Sequence, residues 1–302
     1  MAAASGRKVL IDGLVFPEGP RWRAGKLWFS DMLAGKVMCV DLDGRSSTVA
    51  SSPGTDWLSG LGWLPDGRLL VVAMQSRRLL RLEGDRLVEA ADLSGVTSYL
   101  TNDMVVDARG RAYVGEVGFD VHGGAPYKAA ALVLVTPDGR TRVVDPDLSC
   151  PNGAVITPDG RTLIVGESLA DRLTAYTIAD DGSLTDRRVW AQLAPAPEFG
   201  PLMETLSQLK FGPDGCTLDA EEHIWSADEV TARVLRIAPG GEVVDEIAMP
   251  AGLDCFACML GGDDGRTLLI CASPDFNHEA RADKHESVLL TTTVEVPHAG
   301  LP

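Results

Sequence analysis

The sequence predicts an all-β protein, a single six-bladed β-propeller domain of residues 1–302 with four antiparallel strands in each blade. The first observation is a repeat, in which a hairpin turn precedes a short run of β-type residues. The second is the spacing of these turns, which lie 42 to 62 residues apart. The third is the lack of any long helical pattern. A β-sandwich, the competing all-β architecture, does not explain a repeat of this length. The turns centre on Gly25, Gly67, Gly110, Gly160, Glu222 and Gly265.

Each repeat places its predicted strands in the same order. The first strand precedes the hairpin turn and the second follows it, as residues 27–29 follow Gly25. The third strand alternates apolar with polar residues, as residues 36–41 do, which is typical of a half-buried strand. A short fourth strand, such as residues 47–50, ends the repeat. Four strands in each of six repeats indicate six propeller blades.

The two ends of the chain are predicted to close the ring. Residues 287–291 supply a strand to the sixth blade, and residues 8–11 add the outermost strand of that blade. Joining both ends in one blade removes the exposed strand edges that an open ring would leave.

Two insertions interrupt the repeat. Residues 115–131 extend the third blade, and the Pro-rich residues 191–211 follow the fourth. Residues 201–209 within the second insertion are predicted to form a short helix. We expect both insertions to shape the mouth of a pocket. Solvent-facing loops with no role in binding are the alternative.

Composition excludes several classes of function. The formal net charge of −16 opposes binding to a phosphate backbone or to an anionic membrane. The first eight residues lack the apolar run of a signal peptide, and no stretch reaches 18 apolar residues. We therefore expect a cytoplasmic protein with a small-molecule partner, and the sequence carries no signal for an oligomeric state. The six cysteines are expected to be free thiols, since the Cys255-x-x-Cys258 pair lacks a second metal-binding pair.

A Pro-x-Gly phrase occurs three times with an oxygen-bearing residue at its centre. These residues are Glu18, Asn152 and Asp214, each seven or eight residues before a repeat turn. Asn102 has the same offset without the phrase, and Ser59 occupies it in the second blade. This position is the entry to the innermost strand, where all blades converge on the central axis. We therefore expect these side chains to meet.

Pro-Asp-Gly is also a common turn sequence. Asp66, Asp138 and Asp159 stand in such turns, each followed by Arg and a strand, and we expect them at the surface. Asp214 differs because another hairpin turn follows it one strand later. Asp103 has the wrong offset for the axis and is predicted to brace its loop.

The candidate residues form an all-oxygen set. Two carboxylates with one or two amide carbonyls suit Ca²⁺, Mg²⁺ or Mn²⁺, whereas structural zinc prefers Cys and His. The histidines show no HExxH or HxH spacing, and neither a GxSxG elbow nor a phosphate-binding loop occurs. A serine hydrolase or nucleotide enzyme is therefore not supported. Phe119 and His122, in the first insertion, are predicted to contact substrate, with loop anchoring as the alternative for Phe119.

Four segments together resemble the senescence marker protein / gluconolactonase / luciferin-regenerating enzyme family, over nearly the whole chain. They are residues 16–20 (FPEGP), 101–103 (TND), 151–153 (PNG) and 213–220 (PDGCTLDA). The resemblance implies a six-bladed propeller with one catalytic divalent metal, often Ca²⁺ or Zn²⁺. It implies Glu18, Asn152 and Asp214 as metal ligands and Asn102 as a contact to substrate or to a metal-bound water. Asp214 would also be the catalytic carboxylate.

The expected function is a metal-dependent lactonase or related esterase, with Asp214 as general base toward water. Calcium is the expected metal, with zinc, manganese and magnesium as alternatives. Attack by Asp214 on a phosphotriester and a non-catalytic calcium-binding propeller are the alternative functions. Sugar-lactone members of the family often carry Arg two positions before the Asn102 equivalent, where this chain has Leu100. Together with apolar residues in the insertions (Phe119, Phe199, Leu202 and Met203), this favours a less polar substrate than an aldonolactone.

Overall fold

Six four-stranded antiparallel sheets form a six-bladed β-propeller in the computed structural model, which describes residues 6–121 and 123–300. The predicted fold class is confirmed. Blades one to five each consist of four consecutive strands. The sixth blade combines three C-terminal strands with the first strand of the chain.

The strands follow the predicted repeat. The first strand is β1 (Lys8–Leu14). Blades one and two contain β2 (Pro17–Arg23), β3 (Lys26–Asp31), β4 (Lys36–Val40), β5 (Ser46–Ser51), β6 (Leu58–Trp63), β7 (Leu69–Ala73), β8 (Arg78–Glu83) and β9 (Arg86–Asp92). Blades three and four contain β10 (Thr101–Val106), β11 (Ala112–Glu116), β12 (Ala130–Val135), β13 (Thr141–Leu148), β14 (Pro151–Ile156), β15 (Thr162–Glu167), β16 (Arg172–Ile178) and β17 (Leu184–Gln192). Blades five and six contain β18 (Pro213–Leu218), β19 (Ile224–Asp228), β20 (Arg233–Ile237), β21 (Val243–Ala248), β22 (Asp254–Gly261), β23 (Thr267–Ser273) and β24 (Ser287–Thr293).

The ring closes as predicted. The sixth blade has the order β1-β24-β23-β22, with Val9 opposite Leu290. The Ser287 hydroxyl donates a hydrogen bond of 2.7 Å to the carbonyl of Val15 and so ties the junction further. The outer edge of the sixth blade is thereby supplied by the first strand of the chain.

Two short helices interrupt the strands. Helix α1 (Leu202–Gln208) lies in the Pro-rich insertion and confirms the predicted helix. Helix α2 (His278–Arg281), between β23 and β24, was not predicted. In the described part of the chain, no helix is long and apolar enough to cross a membrane.

The hydrophobic core lies between neighbouring blades. Val37 of β4 belongs to one buried cluster with Leu61 of β6 and Val71 of β7, which joins the first blade to the second. Trp225 of β19 packs in another cluster with Ile270 of β23, joining the fifth blade to the sixth. Each fully buried aliphatic side chain stabilises the fold by about 1.5–3 kcal/mol. These contacts hold the inner strands at fixed positions around the axis.

The glycines of the Pro-x-Gly phrases allow the inner strands to pack closely. A Cβ on Gly19, whose φ is +54°, would lie 2.8 Å from the carbonyl oxygen of Ser59 in the next blade. A Cβ on Gly153 would collide with the backbone of Asp214. The phrase is therefore a packing motif of the innermost strands, where only glycine fits.

Candidate active site

One cavity of about 500 Å³ lies where the first strands of the blades begin. Its wall includes all four residues that the repeat places at the axis, namely Glu18, Asn102, Asn152 and Asp214. They come from β2, β10, β14 and β18, and so from four different blades. The structure thus brings together residues that are as far as 196 positions apart in the sequence.

A bulge beside each of these residues repeats the same local geometry. The pairing with the second strand of the blade shifts by one residue at this point, and such bulges re-aim neighbouring side chains. The shifts lie between Glu18 and Arg21, Thr101 and Met104, Pro151 and Ala154, and Pro213 and Cys216. The four side chains therefore occupy equivalent positions.

A chain of hydrogen bonds fixes the two amides. The Ser59 hydroxyl donates to Asn102 Oδ1 (3.2 Å), and Asn102 Nδ2 donates to Asn152 Oδ1 (3.1 Å). Asn152 Nδ2 donates to Ser168 Oγ (3.2 Å), which donates to the carbonyl of Pro213 (2.7 Å). The chain crosses blades two to five. Because a carbonyl oxygen has two lone pairs, Asn152 Oδ1 retains one for a further ligand.

Negative charge accumulates in the cavity. Glu18 and Asp214 are only 8% and 4% exposed. Burial raises the pKa of both carboxyl groups well above the usual range, and the charge of Glu18 raises the pKa of Asp214 further. Burial, with the charges of Asp228 and Asp254, raises the pKa of Glu229 to about 7. A cation would offset this charge.

The donor set fits a hard divalent cation. Glu18 and Asp214 offer carboxylate oxygens and Asn152 an amide oxygen, all lining the same cavity. Among the described residues, no group of three or more His, Cys, Asp or Glu side chains is arranged to hold a metal ion. The candidate set has only two carboxylates and is completed by an amide. Such an oxygen set suits Ca²⁺, Mg²⁺ or Mn²⁺ better than a soft metal.

Asp103 does not join this set. Its carboxylate accepts hydrogen bonds from Arg21 Nη2 (3.3 Å) and from the backbone N–H of Met104 (2.7 Å). Both Asp103 and Arg21 are buried. The predicted bracing role of Asp103 agrees with these contacts.

The Pro-Asp-Gly look-alikes lie at the surface, as predicted. Each exposed carboxylate bonds to the backbone or side chain of the arginine two residues further on. These residues are Asp66, Asp138 and Asp159. The position of Asp214 within the repeat therefore distinguishes it from the surface turns that have the same Pro-Asp-Gly sequence.

Among the described residues of the two insertions, some of those expected at the cavity line it and others do not. Phe119 is buried behind the cavity wall, in a cluster with Leu169 and Leu209, and is not among the described residues that line the cavity. Any effect of Phe119 on substrate would therefore act through members or neighbours of this cluster that do line the cavity, such as Leu169 and Leu206. His122 lies outside the described residues. Met203 of α1 lines the cavity, whereas Phe199 stacks on Tyr127 with 3.6 Å between ring centroids.

Several residues of the cavity were not predicted from the sequence. Glu229 follows the last residue of β19, next to the strand that carries Asp214. Phe276 and His278 come from the connection between β23 and β24, and the His278 ring lies edge-on to Phe16 and Trp57. This connection spans residues 274–286, which is longer than the corresponding connection 32–35 of the first blade. That difference in length was the signal available in the sequence.

Comparison with known proteins agrees with this architecture. A family model described as the SMP-30/Gluconolactonase/LRE-like region matches residues 16–273. A 6-deoxy-6-sulfogluconolactonase of Pseudomonas putida is 29% identical over 297 residues, covering 95% of this chain and 94% of that protein.

Two solved structures share the fold. Regucalcin, a calcium-binding protein from Agrobacterium tumefaciens strain C58, has a TM-score of 0.77 and 22% identity, covering 99% of this chain and 97% of its own. A gluconolactonase from Xanthomonas campestris has a TM-score of 0.72 and 22% identity, covering 98% of this chain and 92% of its own.

Proposed function

Because the chain belongs to the SMP-30/gluconolactonase/LRE-like family, we propose that it is a divalent-metal-dependent lactonase. The observation that supports this most is the meeting of Glu18, Asn102, Asn152 and Asp214 in one cavity. The 6-deoxy-6-sulfogluconolactonase relative, similar over 95% of the chain, supports lactone hydrolysis as the reaction. The proposed reaction adds water across the acyl C–O bond of a lactone ring.

Glu18, Asn152 and Asp214 are the proposed metal ligands, and calcium is the proposed ion. When bound there, a divalent cation would polarise the lactone carbonyl and lower the pKa of water. The burial of both carboxylates in one cavity supports this role, because burial raises their pKa values and a bound cation would offset the cost of burying their charge.

The remaining chemistry is assigned to the side chains of the protein. Asp214 accepts the proton of the attacking water as general base, and the proton then passes to the ring oxygen as the acyl C–O bond breaks. Asn102 gives one amide hydrogen to Asn152 and has a second one for a substrate oxygen. The product is the corresponding hydroxy acid.

The test is an Asp214→Asn variant assayed on a panel of lactones with a pH indicator. We expect at least a 10³-fold loss of kcat/KM with an unchanged circular dichroism spectrum, because the amide cannot accept the proton. Asp159→Asn, at a surface Pro-Asp-Gly turn, is the matched control and keeps wild-type activity. Turnover by Asp214→Asn at the wild-type rate contradicts the assignment.

Metal dependence is tested separately. Removal of the ion with EDTA should abolish turnover, and addition of Ca²⁺, Zn²⁺, Mn²⁺ or Mg²⁺ should restore it in an order that identifies the preferred ion. Activity that survives complete metal removal contradicts the metal mechanism. Calcium binding without turnover of any lactone would instead indicate the non-catalytic calcium-binding propeller.

A further inference from the structure

We propose that the substrate is an uncharged lactone with an apolar substituent, because the cavity around the four axial residues has mostly apolar walls and no Lys or Arg among its described lining residues. This inference rests on the proposed lactonase function and narrows its substrate class.

The walls of the cavity are rich in large apolar side chains. Three phenylalanines and three methionines contribute, from inner strands, connections and helix α1. They are Phe16, Phe256, Phe276, Met32, Met74 and Met203. A cavity of about 500 Å³ is in the range that holds a ring together with a sizeable substituent. An apolar substituent placed against these walls leaves water, which favours binding by about 25 cal/mol for each Å² buried.

The charges of the cavity disfavour an anionic substrate. Four carboxylates line it, those of Glu18, Asp214, Glu229 and Asp254, and none of its described lining residues is Lys or Arg. The positions outside the described residues contain no Lys or Arg either. One divalent cation offsets two of the carboxylates at most. A sulfonate, phosphate or carboxylate on the substrate would therefore meet repulsion without a Lys or Arg partner. The one imidazole among the described lining residues, that of His278, packs edge-on to Phe16 and Trp57.

The described hydroxyl groups of the cavity wall already donate hydrogen bonds within the protein. Tyr99 donates to Asp120 Oδ1 (2.9 Å), Ser168 to the carbonyl of Pro213 (2.7 Å), and Ser207 to the carbonyl of Glu204 (2.8 Å). Only those hydroxyl groups of a polyhydroxylated lactone that reach Glu229, Asp254 or an axial residue would find a partner, and the others would be buried against apolar side chains. Burial of a hydroxyl without a hydrogen bond is unfavourable. An aldonolactone therefore fits the cavity less well than an alkyl-substituted lactone.

The experiment measures kcat/KM of the metal-loaded protein on four probes. They are δ-valerolactone, δ-decalactone, δ-gluconolactone and 6-deoxy-6-sulfogluconolactone. We expect kcat/KM for δ-decalactone to exceed that for δ-valerolactone at least tenfold, because the alkyl chain contacts the walls. We expect kcat/KM for δ-decalactone to exceed kcat/KM for 6-deoxy-6-sulfogluconolactone at least a hundredfold.

Variants of rim residues connect this preference to the cavity. Phe276 and Met203 are 44% and 73% exposed, so that their substitution leaves the core intact. Phe276→Ala should lower the ratio of δ-decalactone to δ-valerolactone activity at least fivefold, and Met203→Lys should raise relative activity on the sulfonated lactone. Val189→Ala, at an exposed apolar residue of β17 outside the cavity, is the matched control with unchanged ratios.

The outcomes separate the two proposals. A preference for either sugar lactone over δ-decalactone overturns the substrate inference and leaves the lactonase proposal standing. Equal ratios in Phe276→Ala and Val189→Ala also overturn it, since the cavity wall would then have no part in selection. The absence of turnover on all four probes overturns the lactonase proposal together with the inference.

Discussion

Asn152 is a candidate ligand because of its partners rather than its identity. Its carbonyl oxygen accepts from Asn102 and its amide nitrogen donates to Ser168, so that both ends of the side chain are held. Ser168 is itself fixed by the carbonyl of Pro213, in the strand that carries Asp214. Partners of this kind usually orient the groups that bind a metal and tune the affinity.

Loss of the Ser168 hydroxyl should weaken metal binding without unfolding the protein. In Ser168→Ala the amide nitrogen of Asn152 loses its acceptor, so that the carbonyl oxygen is no longer held toward the cavity. We expect the Kd for Ca²⁺ to rise about tenfold, measured by isothermal titration calorimetry. Ser183→Ala, which removes a hydroxyl from a turn at Asp181, is the control. Equal Kd values for both variants would refute this positioning role.

A repeated contact fixes the connections that lead into the inner strands. In four blades the last residue of the second strand is acidic, and its carboxylate accepts backbone N–H groups of the segment before the first strand. The pairs are Asp31 with Val15 and Phe16, Glu116 with Ser98 and Tyr99, Glu167 with Ser149, and Asp228 with Gly212. The second and sixth blades end this strand with Ala73 and Ser273 instead. The contact precedes each of the four candidate site residues.

Asp31 allows this contact to be tested. Its Oδ1 accepts from both Val15 (3.0 Å) and Phe16 (2.8 Å). Asp31→Ala leaves two backbone N–H groups without this acceptor and should lower the free energy of unfolding by about 1–3 kcal/mol. Asp31→Asn keeps an oxygen in place and should cost less. Urea unfolding at pH 7 measures both, and equal losses in the two variants would contradict the contact.

The stability difference between Asp31→Asn and the wild type should also depend on pH. Burial raises the pKa of Asp31 above its usual 3.8. Below that value the carboxyl is protonated in both states, so that the penalty for a buried charge is absent. As the pH rises through the higher pKa of the folded state, the wild type acquires this penalty and Asp31→Asn does not. The stability of Asp31→Asn relative to wild type should therefore increase between pH 4 and pH 7, and a constant difference would contradict this.

The cysteines illustrate how the whole ring excludes solvent. All six are free thiols, and five of them are buried. Burial raises the pKa of Cys255, Cys258 and Cys271 above the usual range for thiols. Because the thiolate is the reactive form, buried thiols react slowly.

Thiol titration therefore reports on the integrity of the ring. With the reagent DTNB at pH 8, we expect fewer than one thiol per native chain to react within minutes. All six should react in guanidinium chloride, which serves as the control. Rapid reaction of the Cys255–Cys258 pair in the native protein would indicate a redox role that the fold does not support.

Features of this protein that depend on local or repeated sequence patterns could be predicted, whereas features that depend on contacts between distant residues could not. The number of blades, the ring closure and helix α1 were predictable because turn spacing and strand alternation are local patterns. Glu18, Asn102, Asn152 and Asp214 were predictable because the repeat converts a sequence offset into a position in space. Glu229 and Ser168 were not, since each acquires its role from neighbours that no local pattern identifies. Helix α2 lies in the connection 274–286, which is much longer than the corresponding connection 32–35 of the first blade, and no apolar repeat within it indicates a helix.

The pairing of β1 with β24 in the sixth blade constrains the order in which the strands can assemble. The Ser287 hydroxyl and the Val15 carbonyl that it meets are 272 residues apart. Strand β1 emerges from the ribosome first, yet its partner β24 is translated only after the five other blades. Strand β1 therefore cannot pair with β24 until the strands of the other five blades have been translated. We therefore expect the axial cavity to take its final shape only after β1 has paired with β24.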